Sequence, residues 1–258
     1  ACGATDEVVP LTAALGAAGP ARAVSPGPTA LAALDGLVYS ASGYPAAAVD
    51  YLARDLRVTA PLHTVPLAGS DLQGITAHDG ALLVANSGVG TVVVLSPDGV
   101  VLDEVPMPGQ QSGPNPRSVT VAGSDAYVAL GGSDDASGQA VAVLDLSGLP
   151  ACLAEAAPPA CGAGGACGAG RHCVDGACRL RCAELARTID LAAVAGAADA
   201  PGAPFPSRAL AVGDKVYVTL GNLKFADGTE TKISLQVSNA PGVWGNASGD
   251  PMYDSYLF

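Results

Sequence analysis

QGITAHDGALLVANSGVGTVVVLSPDGVVLDEVP, residues 73–106, reads as four short strands divided by turns. The apolar and β-branched runs predict strands at 73–78, 81–86, 91–96 and 100–106. Asp79-Gly80 and Asp98-Gly99 are dipeptides that supply the positive φ angles of tight hairpins. Pro106 sits in the last strand, where a missing N–H is tolerated because an outermost strand has an unpaired edge.

The same pattern recurs outward from this stretch. TALAALDGLVYSASG from Thr29, RSVTVAGSDAYVALGG from Arg117 and RALAVGDKVYVTLGN from Arg208 align with it. Leu31, Ile75 and Val119 lie 44 residues apart, as do Tyr39, Leu83 and Tyr127, and Tyr217 follows after 90. Four strands in such a period is the size of one propeller blade, so the expected fold is all-β, a β-propeller. Through VYSASG, LLVANSG, AYVALGG and VYVTLGN the chain resembles the bacterial YVTN/NHL-type β-propellers over about residues 29–237. About four four-stranded blades are visible, the low end of the known range, and a larger ring containing them is the favoured count. Segments around His63, Asp103 and Asp6 (HTVPL, DEVPM, DEVVPL) match one another. Residues 1–28 are therefore expected to bring a lone outer strand that closes the ring on the final blade.

Six of the seven cysteines (Cys152, Cys161, Cys167, Cys173, Cys178 and Cys182) crowd into a Gly-rich segment. This reads as three disulfides holding a small module with little core of its own, because no CxxC pair favours zinc and His172 is the only nearby imidazole. The module, residues 147–185, interrupts the third unit between its third and fourth strands. It is expected to project from the rim, to meet a partner or to shield a blade edge. Ala1-Cys2-Gly3 resembles the end of a bacterial lipobox, which implies lipidation of Cys2 and membrane attachment through that anchor. The cysteines together imply an oxidising, extracytoplasmic location: outer membrane, cell surface, periplasm or beyond.

Hydrophobic residues make up 49% of the 258, yet aromatics only 4%, and Gly 33 with Pro 20 suits short strands and turns. A formal charge of −12 argues against a nucleic-acid partner. The aromatic shortage ends near Asn222, beyond which lie Phe225, Trp244, Tyr253, Tyr256 and Phe258. Residues 238–258 form a non-repeating tail in which Trp244, Tyr253 and Tyr256 are candidate partner-binding residues.

No GxSxG, HExxH, phosphate loop or EF-hand is present, so no catalytic residue is expected. The resemblance implies a ligand face built from second-to-third-strand loops and blade connections, which here carries Tyr44, Asn86, Asp134, Asp135, Asn222 and Lys224. Asp134 and Asp135 offer oxygens that calcium would take, but without fixed ligand spacing a solvated loop is the simpler reading. No other metal or cofactor is expected. Arg117, Arg208 and Gln73 are read as equivalent positions at the start of innermost strands, forming a polar ring with anion-binding donors. The alternative is that each arginine pairs with a local acid. His63 and His78 fall in separate units, and an isolated histidine is more often structural.

The expected function is an extracytoplasmic scaffold or binding subunit for another protein or complex. The second unit also resembles blades of lactonase-type hydrolases, which implies a channel metal, but no Glu lies on a predicted innermost strand. Carbohydrate binding through Trp244 and the tail tyrosines is the third reading.

Overall fold

The computed structural model describes residues 6–10, 19, 21–43, 45–53, 61–109, 114–131, 140–191, 206–213 and 215–220, with the backbone of 223–224 and 234–235. A short pair, β1 (Glu7–Val8) and β2 (Arg22–Ala23), precedes the first full sheet. That sheet contains β3 (Pro28–Leu34), β4 (Leu37–Ser42), β5 (Ala48–Ala53) and β6 (His63–Pro66) in order. The second contains β7 (Leu72–His78), β8 (Ala81–Asn86), β9 (Thr91–Leu95) and β10 (Val101–Pro106). The third opens with β11 (Pro116–Ala122), β12 (Asp125–Leu130) and β13 (Ala140–Asp145). The chain then leaves the sheet through α1 (Leu149–Leu153) and a hairpin of β14 (Arg171–Val174) and β15 (Ala177–Leu180). It returns as β16 (Glu184–Asp190), which pairs antiparallel with β13 as the sheet's fourth strand. A fourth unit follows as β17 (Pro206–Val212) paired with β18 (Lys215–Leu220). Two short strands, β19 (Leu223–Lys224) and β20 (Ser234–Leu235), also pair. The protein is a β-propeller, as the repeat predicts.

Local chemistry explains the hairpins. Asp35-Gly36, Asp79-Gly80 and Asp175-Gly176 all have positive φ at both residues, the two-residue turn whose twist matches the flanking strands. Packing then follows the two-residue period of a strand. Leu82, Val84, Val93 and Leu95 face the first sheet and meet Tyr39, Val49 and Tyr51. Leu83, Val92 and Val94 face the third and meet Val128, Leu130 and Leu144. The second sheet is therefore apolar on both faces, and all six residues of β8 are buried.

The first strands of successive sheets contact one another, β3 with β7, β7 with β11, and β11 with β17. They approach so closely that a Cβ on Gly74 would lie 2.9 Å from the Ser118 Cα. Cross-links of the same level follow. The Thr29 hydroxyl donates to the Leu72 carbonyl at 2.6 Å, and the Ser118 and Thr120 hydroxyls accept from the backbone N–H groups of Ala209 and Ala211. This crowding favours the small residues that dominate the composition.

The N-terminal strand Glu7–Val8 pairs with Arg22–Ala23; most of the last unit beyond Leu220, on which the expected ring closure turns, lies outside the described residues. Val8 packs with Leu52, Val24 and Val38, and the buried Asp50 carboxylate accepts the Ser25 N–H and the hydroxyls of Ser25 and Thr64. These contacts fasten the segment to the first sheet. Gly74→Ala should lower unfolding free energy by about 1–3 kcal/mol, measured by urea denaturation, because its methyl group meets backbone and not a movable side chain.

Candidate functional site

The cysteine module is the best-defined candidate surface. Its bridges are Cys152–Cys182, Cys161–Cys173 and Cys167–Cys178, so all six clustered cysteines are joined as disulfides. Cys152 and Cys182 lie inside the core between the second and third sheets, beside Leu149 and Ala183. The other two bridges hold the outer part, where Cys173 and Cys178 face each other across the hairpin. Glu155 knits the base: it bonds to Arg171 and accepts the Leu180 N–H at 3.3 Å. The hydrogen bond from Arg171 holds the Glu155 carboxyl below its ordinary range.

One residue outside the module fastens it down. Asp103, on the outermost strand of the second sheet, is fully buried. Its carboxylate accepts the backbone N–H groups of Cys182 at 2.8 Å and Ala183 at 3.3 Å. His172 Nε2 lies 2.6 Å away and Arg181 Nη1 3.4 Å away. The module thus lies against β10, and β14 and β15 both contact that strand. The edge-shielding arrangement rests on a carboxylate about 80 residues away in sequence, which nothing in the repeat pattern marks as special. In the sequence Asp103 stands beside a second acid, Glu104, and only the structure shows that the first is buried and the second exposed.

The polar ring is rearranged by strand register. A bulge falls on Thr29, Gln73, Arg117 and Ser207 in the four first strands. Arg117 and Gln73 are therefore equivalent, but Arg208 lies one residue further, at the position of Gly74 and Ser118. The connections from Ala122 to Asp125 and from Val212 to Lys215 are the same length, so the one-residue offset of Arg208 holds along the whole strand pair. An arginine fits at position 208 because, among the described residues, no further first strand packs on β17. Its Nη1 donates to the Gln73 carbonyl at 2.9 Å. Arg117 instead lies over Gly131, where an added Cβ would come within 2.9 Å of its Nε.

Asn86 is 1% exposed and donates its amide to the Ala68 carbonyl at 2.8 Å, so it clamps the connection between the first two sheets. His63 stacks edge-on to Tyr51 at 5.6 Å, and His78 lies 3.3 Å from Asp79. Tyr44, Asp134, Asp135, Asn222, Cys2, Trp244, Tyr253 and Tyr256 lie outside the described residues, as does the side chain of Lys224.

The hollows among the described residues include one of about 280 Å³ around the Asp35-Gly36 turn and one of about 180 Å³ at the module's foot between Asp145, Ser147, Arg181 and Glu184. Both are smaller than the roughly 300–1,000 Å³ of typical small-molecule pockets. No helix among the described residues is long and apolar enough to cross a membrane. Among the described residues an exposed apolar stripe lies on β17 and β18: Leu210, Val212 and Tyr217 are 61%, 55% and 57% exposed. Leu210 and Tyr217 are direct cross-strand partners. The counterparts of Tyr217 in the first two sheets, Tyr39 and Leu83, are fully buried against the following sheet, and Tyr127 in the third is half-buried.

No protein-family model matches the chain, and no curated protein matches it in sequence. Solved structures similar in fold include virginiamycin B lyase from Staphylococcus aureus, at 10% identity and TM-score 0.52, covering 83% of this chain and 56% of that one. A functionally unknown protein from Desulfotomaculum acetoxidans is similar at 15% identity and TM-score 0.54, covering 84% and 56%. The chain thus spans about half the length of these two structures.

Asp103→Ala would remove the acceptor for two buried N–H groups and the counter-charge of Arg181. It should cost about 3 kcal/mol of stability. Limited proteolysis should then cut within residues 153–181 while the sheets survive; unchanged resistance would mean the clamp is dispensable.

Proposed function

We propose that this chain is an extracytoplasmic β-propeller scaffold of the YVTN/NHL type that binds another exported protein or complex. The observation that carries this reading is the apolar stripe of Leu210, Val212 and Tyr217. A soluble sheet seldom leaves three large hydrophobic side chains more than half exposed and adjacent unless another surface covers them. Two further features support it. The three disulfides suit an oxidising compartment, where such bridges form and persist. The module is also held in place by covalent and buried polar contacts, giving a surface whose shape is set before a partner arrives.

A metal-dependent hydrolase gains no support from the innermost strands. β3, β7, β11 and β17 carry no carboxylate between them. Membrane attachment, in this reading, comes from a lipid on Cys2, and the tail residues Trp244, Tyr253 and Tyr256 add aromatic contacts to the partner. Mass spectrometry of the protein isolated from its native envelope should find diacylglycerol on Cys2; an unmodified thiol would remove the anchor and leave a soluble exported form.

The binding claim is tested by Leu210→Glu and Tyr217→Lys, made in the full chain. Both substitutions face outward, so the circular dichroism spectrum should be unchanged. Co-migration with the envelope partner on size-exclusion chromatography should fall at least tenfold. Equal co-migration by folded variants would overturn the assignment of this face.

A further inference from the structure

We propose that the outer edge of β16 is a docking site for an extended segment of a partner protein, which joins the third sheet as an added antiparallel strand. The segment carries a basic residue opposite Glu184 and an acidic residue opposite Arg187. This site is separate from the stripe on β17 and β18.

The outermost strands of the four-stranded sheets differ in how their edges are closed. β6 has only four residues and ends at Pro66, with Pro61 shortly before it. β10 ends at Pro106 and has the cysteine module laid against it. Short length, proline and a covering element all keep an edge from pairing with a foreign strand. β16 has none of them. Its seven residues, Glu184–Asp190, contain no proline, and every one is exposed. Among the described residues no strand pairs with its outer side. The strand is also fixed at both ends. Just before it, the Cys182 and Ala183 N–H groups donate to the buried Asp103 carboxylate, and just after it Leu191 is buried. An edge held in this way loses little conformational freedom when a partner adds to it.

Charge selects the occupant. A bulge at Ala186 sets Arg187 opposite Val143 and Glu184 opposite Asp145. Val143 and Asp145 are two apart on β13, so Arg187 and Glu184 share one face, together with Ile189 opposite Val141. Neither Glu184 nor Arg187 has an ion-pair partner among the described residues. Glu184 and Asp145 stand directly across from each other, an unfavourable pair of acids that an incoming cation relieves. Both also line the hollow of about 180 Å³ at the module's foot, which is of side-chain size. Arg181, on the same hollow, already faces Asp103 at 3.4 Å. A second copy of β16 is the wrong occupant, because pairing centred on Arg187 would set arginine against arginine. The complementary strand instead places apolar, acidic and basic residues at alternate positions, opposite Ile189, Arg187 and Glu184. Its backbone hydrogen bonds supply affinity, and these alternate side chains supply specificity.

The probe is the end-blocked, fluorescently labelled peptide Ser-Val-Thr-Glu-Val-Lys, titrated with the full chain, its disulfides intact, and followed by anisotropy. It should bind saturably, and amide hydrogen exchange of residues 184–190 should slow. The charge-swapped peptide Ser-Val-Thr-Lys-Val-Glu should bind about tenfold more weakly, because two favourable cross-strand pairs become unfavourable. The double variant Glu184→Lys/Arg187→Glu should reverse that preference with an unchanged circular dichroism spectrum. N-methylation of the peptide at its odd or its even positions should block binding in one set only, since an added strand pairs through one edge. Leu210→Glu should leave the affinity as it is, which separates this site from the stripe. No saturable binding up to about 1 mM would overturn the proposal. So would equal affinity for the two charge patterns, an unreversed preference in the double variant, or tolerance of both N-methylated sets. Protection confined to other strands, or loss of binding in Leu210→Glu, would remove the site from β16.

Discussion

A sheet that is apolar on both faces can be stable only between two other sheets, and this constraint organises the molecule. The second sheet meets it fully, with Leu82 and Val84 turned one way and Leu83 and Val92 the other. At about 1.5–3 kcal/mol for each large side chain buried, these two interfaces supply the main drive for folding the repeat. The sheets at either end of the described arc meet the constraint only in part. The first is covered on its outward side by β1, β2 and the Asp50 contacts, while the last leaves Leu210, Val212 and Tyr217 facing outward.

Convergence of the first strands adds a second demand. Their backbones come within side-chain-excluding distance near Gly74 and Ser118, so bulk is confined to the broader outer parts of each interface. Small residues and hydroxyls then serve as contacts instead of fillers. The Thr29, Ser118 and Thr120 hydroxyls bond directly to neighbouring backbones, which large apolar residues could not do. A composition rich in Ala and Gly is the result of this geometry, and not a sign of a weak core.

The cysteine module solves a different problem at the rim. An outermost strand presents unpaired backbone groups, and β10 has the module laid against it. The attachment is partly covalent, through Cys152–Cys182, and partly electrostatic, through Asp103. Burying a carboxylate is costly in isolation, but two backbone donors, His172 and Arg181 surround this one. Loss of the carboxylate would therefore be felt in the module before the sheets.

The strand pattern of residues 73–106, the Asp-Gly turns and the place of the cysteines in the third unit were all legible in the residues themselves. Each depends on neighbours a few positions apart, where strand period, turn stereochemistry and disulfide density act directly. The 44-residue spacing extended that local reading to the whole propeller. Three things were settled only by the tertiary structure: the partner of Glu7–Val8, the bulge that separates Arg208 from Arg117 and Gln73, and the clamp of Asp103 on the module. Register is a property of two strands together, and a one-residue gap is invisible in either strand alone. Asp103 and Cys182 are 79 residues apart, so their contact exists only once two sheets have packed and brought the rim of one under the insert of the other.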